Sequence, residues 1–156
     1  ASSISFILPK SFKKLSMQNC FPLNYHLIHC SDINDNSFLV NNIECDVPCV
    51  FQIWQYKETK RKIEDKLIPN GFKFVKKNEK PDISFRRVGV NAGLVTKDIM
   101  DKSSQSHYFI TFTKKFDINK LNNIVYDFNN TVGPKSISKP ELIKTFTAGT
   151  ILNDTI

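Results

Sequence analysis

The chain has 156 residues, 40% hydrophobic and 24% charged, with a formal net charge of +7. That length suits one domain of ordinary size, the apolar content excludes a wholly disordered chain, and no run of about 18 apolar residues exists to form a transmembrane helix. The basic excess points to anionic partners such as nucleic acid. The argument is weakened by an abundance of Lys, Asn and Ile that reads as AT-rich coding bias, with Arg61, Arg86 and Arg87 the three arginines.

Ser3–Leu8 is a short apolar run closed by Pro9, and it reads as a buried strand of a parallel or mixed sheet. It has no basic region before it and no small-residue cleavage site after it, so it is a poor signal peptide. A core strand so early usually has neighbours supplied by earlier chain. Ala1 in place of Met suggests processing, engineering or a fragment boundary. Pro9 to Asn19 reads as a polar loop leading into a short helix, with Ser11 as the N-cap. Tyr25–His29 is the next strand, and residues 31–37 form a polar turn. Phe38–Val40 is apolar, and Asn41-Asn42 turns the chain. Val47–Tyr56 has the strongest strand composition, with Pro48 at its start, where no ladder donor is needed. The three main strands are expected side by side in one mixed sheet, the third antiparallel to its neighbour. Lys57–Lys66 reads as a solvated loop or a helical turn or two.

Beyond Pro69-Asn-Gly71, short strands are expected at Phe72–Val75, Ile83–Val88, around Val95, and at Tyr108–Phe112. Leu121, Ile124, Val125 and Phe128 recur at helical spacing, which predicts a helix over 118–128. Residues 131–134 read as a loop. Ser138, Pro140 and Glu141 form a capping box that opens a helix through Phe146. The tail over 147–156 is expected to fray.

Cys20, Cys30, Cys45 and Cys49 include one C-x3-C pair with no second pair. Reduced thiols acting as small hydrophobes, a disulfide framework and a metal site all remain open on these spacings. His26, His29 and His107 show no convergent partners for a hydrolase triad or a metal. Trp54 and Phe51 read as core residues, and Asp32 and Asp35 as turn formers. Lys10, Ser11, Phe12, Lys13 and Lys14 follow the carboxyl end of a strand, where α/β sheets gather ligands. They are either a nucleic-acid site, with Phe12 stacking on an extruded base, or a solvated turn with Phe12 packed inward. Arg86 and Arg87 either contact phosphates or divide into one exposed residue and one paired with a carboxylate.

The order of several pieces carries a resemblance. They are Phe6-Ile-Leu-Pro-Lys-Ser-Phe12, Tyr25–His29, Asp46-Val-Pro-Cys-Val-Phe-Gln-Ile-Trp54, Arg86–Gly89, Ser106–Ile110 and Ser136–Ile143. Together they resemble the C-terminal half of class I S-adenosylmethionine-dependent DNA methyltransferases of the adenine-N6 type, as found in phages, viruses and bacteria. The resemblance implies an α/β fold. Residues 1–68 would be the last strands of a partial Rossmann-like sheet, mixed parallel and antiparallel, with the final strand antiparallel. Residues 69–146 would be a β-rich extension with two helices. It also implies S-adenosylmethionine as cofactor of the complete enzyme and DNA or RNA as partner, while the reading of the cysteines as reduced implies an intracellular, cytoplasmic or nuclear, location. The family's Gly-rich cofactor loop and its Asn/Asp-Pro-Pro-Tyr/Phe segment are absent from these residues. The chain alone is therefore expected to bind no cofactor and to carry no catalytic residue, and a separate chain could supply the cofactor-binding half. The alternative is a non-catalytic nucleic-acid-binding or interaction module.

Overall fold

The structure, a computed structural model, describes residues 1–128 and 134–147. It divides into two compact units, one formed by Ala1–Asp65 and the other by Lys66–Phe128 with the described residues 134–147. The tail expected to fray lies outside the described residues beyond Thr147, as does the 131–134 loop up to Gly133.

The first unit contains β1 (Ser3–Pro9), α1 (Leu15–Gln18), β2 (Tyr25–Asp32), β3 (Phe38–Val40), β4 (Ile43–Cys45) and β5 (Cys49–Tyr56). Its main sheet has the order β1-β5-β2. The central strand β5 is antiparallel to both neighbours, so that Trp54 stands opposite Ile4 on one side and Leu27 on the other. It follows that β1 and β2 run in the same direction without pairing to each other. β3 and β4 form a separate antiparallel hairpin. Its two connecting residues, Asn41 and Asn42, have φ of 52° and 64°. This left-handed pair matches the twist of a tight hairpin, and asparagine tolerates it better than most residues.

The expected α/β, Rossmann-like sheet is not what forms. Every ladder among the described residues is antiparallel. The physical reason is local. A parallel sheet needs helices long enough to cover its faces. The segment joining β1 to β2 holds only a 3-10 turn over Lys10–Lys13 and the single helical turn of α1. Nor is β1 a buried strand. Its exposure alternates, with Ser3, Ser5 and Ile7 outward and Ile4, Phe6 and Leu8 half-buried. Ile7 is 58% exposed. The Ser-Ile-Ser-Phe alternation is the period-2 signal of a strand with one covered face. Ser11 does not cap α1. It lies within the 3-10 turn, and its carbonyl accepts from Lys14 N at 3.0 Å.

The second unit is a four-stranded antiparallel sheet of β6 (Phe72–Val75), β7 (Ile83–Arg86), β8 (Val95–Thr96) and β9 (His107–Phe112), in the order β6-β9-β7-β8. Phe85, Ile83, Val95 and Ile110 from this sheet pack against Leu121, Leu142 and Phe146. Leu121 comes from α2 (Ile118–Asn122) and the last two from α3 (Lys139–Thr147). Fully burying each such side chain stabilises the fold by about 1.5–3 kcal/mol. The start of α3 is the reciprocal cap that the pattern predicts. Ser138 N donates to Glu141 Oε2 at 2.7 Å, and Glu141 N donates to Ser138 Oγ at 3.4 Å. α2 is much shorter than the spacing predicts, ending at Asn122. The Asn122 amide is drawn onto the β8 backbone, accepting from Val95 N at 2.7 Å and donating to Val95 O at 3.0 Å. Asn122-Asn123 is also a poor helix sequence, since both side chains compete for backbone hydrogen bonds.

Candidate nucleic-acid interface

Two clusters gather the residues that the sequence singles out, one in each unit. In the first unit, Lys10 N donates to Pro48 O at 3.0 Å, which fastens the end of β1 to the start of β5. Lys13 Nζ forms an ion pair with Asp32 at 2.7 Å. Phe12 packs against Phe21 with centroids 5.9 Å apart, and Phe21 in turn lies 4.5 Å from Trp54. The Phe12 carbonyl accepts from both Gln18 Nε2 at 2.9 Å and Gln52 Nε2 at 3.1 Å. These bonds hold the Lys10–Lys14 turn against the sheet, and the Phe12 ring is committed to internal packing. Trp54 is 1% exposed, while Phe51, three positions away, lies on the opposite face and meets His29 at 6.0 Å. His26 Nε2 contacts Thr59 O at 2.8 Å.

In the second unit, three stretches far apart in sequence meet. Arg86 and His107 stand opposite each other across β7 and β9. Arg87 N donates to Ser106 O at 3.0 Å, and Ile137 N donates to Arg87 O at 2.8 Å. Gly89 N donates to Lys135 O at 2.9 Å. Residues 86–89, 106–110 and 135–143 thus lie side by side. The two arginines diverge. Arg86 Nε donates to Val88 O on its own loop at 3.0 Å, and Arg87 Nε donates to Gln105 O at 3.0 Å. The loop closes on itself through Gly93 N to Arg86 O and Arg86 N to Leu94 O, both at 2.8 Å. Gly89 and Gly93 supply φ of 98° and 102° there, a region that side-chain-bearing residues resist.

Cations and aromatic rings interleave on this surface. Arg87 lies over the Tyr108 ring at 5.5 Å, and Lys139 Nζ sits 4.8 Å from Phe74 and 5.8 Å from Tyr108. Lys135 Nζ lies 5.0 Å from the Phe128 ring. Such pairs fix the cations in place while leaving them able to meet a phosphate. On the other face of β9 from Tyr108, His107 is buried at 7% exposure, with Nδ1 2.9 Å from Ser106 Oγ and 3.3 Å from Ser103 O. Burial holds its pKa below the usual histidine value, with Arg86 and Lys102 adding to the effect against the opposing bond from Ser103.

The charge is unevenly divided. Residues 1–65 hold seven Lys and Arg against seven Asp and Glu, and residues 66–156 hold fifteen against eight. The whole +7 therefore belongs to the second stretch. Sequence reasoning found Arg86 and Arg87 but missed Lys135, Lys139 and Tyr108. The signal was available in splitting the net charge along the chain and in the short spacing of Lys135 and Lys139.

Among the described residues, no group of three or more His, Cys, Asp or Glu is placed to hold a metal ion, and no helix is long and apolar enough to cross a membrane. Comparison with models of protein families, with curated proteins and with solved structures finds no match to this chain.

Proposed function

We propose that this chain is the nucleic-acid-facing portion of an S-adenosylmethionine-dependent nucleic-acid methyltransferase of the adenine-N6 type, and that it does not methylate by itself. The observation that carries the reading is the cationic and aromatic surface of Arg87, Tyr108, Lys135 and Lys139. It lies in the part of the chain that holds all the net charge, and Arg87, Tyr108 and Lys139 come from three of the pieces on which the family resemblance rests. No Gly-rich loop or Pro-Pro segment occurs in residues 1–156, so cofactor binding and acceptor chemistry would fall to another segment or chain. β1 stands at a sheet edge with an open ladder side, which leaves room for such a partner.

Fluorescence anisotropy with a labelled duplex tests the nucleic-acid reading. Affinity should fall roughly 10- to 1,000-fold between about 50 and 200 mM salt as counterions are released. Absence of binding at the lower salt overturns it. Calorimetric titration with S-adenosylmethionine should give weak binding or none. Micromolar binding would mean that the cofactor site lies in this chain and that the division of labour is misassigned. A second reading, a binding module with no catalytic partner, is favoured by the antiparallel sheets. The surrounding gene separates the two, since a Gly-rich loop and an Asn/Asp-Pro-Pro-Phe segment encoded in the same frame or an adjoining one belong to the first alone.

A further inference from the structure

The two edges of the β1-β5-β2 sheet are built differently. β2 is interrupted by a bulge between Leu27 and His29, gives its Tyr25 carbonyl to Arg61 Nε at 2.6 Å, and ends on Asp32. Bulges and charges are the devices that keep an edge from pairing with another chain. β1 has neither. Ser3–Leu8 holds no charge and no break in its register against β5, and Pro9 is its last residue. The ladder also fixes which backbone groups of β1 face away from β5. Ser2 O accepts from Tyr56 N at 2.8 Å, and Lys10 N donates to Pro48 O at 3.0 Å. Bonded and non-bonded pairs alternate in an antiparallel ladder, so the even residues of β1 turn their N–H and C=O groups to β5. Ser3, Ser5 and Ile7 turn theirs to the open side, where the described residues supply no strand.

We propose that this edge pairs with the same edge of a second copy of the chain, antiparallel and centred on Ser5, joining two three-stranded sheets into one of six strands. The strand is complementary to itself in that register. Ser5 meets Ser5 of the second copy and Ser3 meets its Ile7, so the outward N–H and C=O groups of all three residues find partners. On the covered face, half-buried Ile4 meets Phe6 of the second copy, and a β-branched residue opposite an aromatic one is a favourable cross-strand pair. No charge falls opposite a like charge. The contact uses the same surface on both copies and closes as a dimer. Residues 1–65 carry no net charge, so two copies approach through this unit without the repulsion that the +7 stretch would impose. The edge that leaves room for a cofactor-bearing partner is thus held by a second copy when the chain is by itself.

Sedimentation velocity between about 1 and 200 µM tests this, a range that suits a contact of one strand per partner. The wild type should show a concentration-dependent equilibrium of monomer and dimer. Ser5→Lys sets two ammonium groups opposite each other and should raise the dissociation constant at least about fivefold. Ser3→Pro, at the first position of the strand where proline is tolerated, removes one outward donor from each copy and should raise it about fivefold or more. It decides the matter if Ser5→Lys proves unfolded by circular dichroism. Ser31→Lys, on β2, should leave the constant unchanged. With the exposed Cys20 and Cys30 changed to serine, Ser5→Cys should cross-link as a dimer under mild oxidation, since facing Cα atoms of a bonded pair lie about 5.5 Å apart. Ser3→Cys should not, because it faces Ile7. A wild type that stays monomeric throughout overturns the proposal and leaves the edge to a different chain. A dimer that Ser5→Lys and Ser3→Pro leave intact overturns it too, as does equal cross-linking through the two cysteine variants.

Discussion

The guanidinium of Arg61 lies over the indole of Trp54, its central carbon 5.3 Å from the ring centroid. From there it reaches three backbone carbonyls, Tyr25 O at 2.6 Å, Phe21 O at 3.1 Å and Gln18 O at 3.2 Å. A residue from a charged stretch thus seals the end of α1, the start of β2 and the covered face of the sheet together. Only a planar fork with several donors can do this. Arg61→Ala should cost about 2–3 kcal/mol in urea unfolding, since hydrogen bonds to a charged group are worth about 1.5–3 kcal/mol. Arg61→Lys should recover less than half. A loss below about 0.5 kcal/mol would place Arg61 among ordinary surface charges.

The buried Tyr126 hydroxyl has no partner, and burial pushes its pKa well above the usual tyrosine value. A phenol whose folded pKa exceeds its unfolded one favours folding below the unfolded value, about 10, and that contribution is lost as pH rises beyond it. Tyr126→Phe removes both the unmet hydrogen bond and the titration. Its midpoint in urea at neutral pH should equal or exceed that of the wild type, and it should lose less stability between about pH 9 and 11. A variant clearly less stable at neutral pH would reveal a partner for the hydroxyl.

His107 behaves in the opposite sense. Its folded pKa lies below the ordinary value of 6.5, chiefly through burial. The unfolded chain therefore takes up the proton first, so the stability is present above about pH 6.5 and declines as pH falls. Protonation would also set a charge beside Arg86 and Lys102. The thermal midpoint should drop between about pH 6.5 and 5, and His107→Gln should flatten that drop. An unchanged slope in the variant would assign the acid loss to other groups.

How much of this is legible in the sequence depends on how far each signal reaches along the chain. The Asn41-Asn42 turn and the Ser138–Glu141 cap are complete within four residues, and the structure builds both as their composition dictates. β1 departs from the expected buried strand because its apolar content reads more strongly than its alternation, and Ser3 and Ser5 carry the information. The 118–128 helix fails through Asn122, whose amide answers to Val95, 27 residues away. The role of Arg61 has no sequence signal, since its acceptors are carbonyls present at every residue. The candidate surface shares that difficulty. Arg87, Tyr108 and Lys139 are ordinary residues individually, and only the pairing of β7 with β9 and the return of Ile137 to Arg87 bring them together.

Two sets of three cations therefore compete as the nucleic-acid contact. Lys10, Lys13 and Lys14 lie in a stretch of zero net charge, with Lys13 already paired to Asp32. Arg87, Lys135 and Lys139 lie in the +7 stretch, each poised over an aromatic ring. Changing each set to glutamine removes the same three charges, so a purely diffuse attraction predicts equal weakening. Direct contact predicts that the Arg87, Lys135 and Lys139 variant binds more weakly than the other at about 50 mM salt. Removing one phosphate-binding cation should also reduce the slope of log affinity against log salt by about 0.9 for a duplex. The Lys10, Lys13 and Lys14 variant should keep the wild-type slope to within about one phosphate's worth. Anisotropy titrations at four or more salt concentrations read both quantities at once. Equal slopes in the two variants would make the attraction diffuse, and a greater weakening in the lysine-turn variant would move the contact to the first unit.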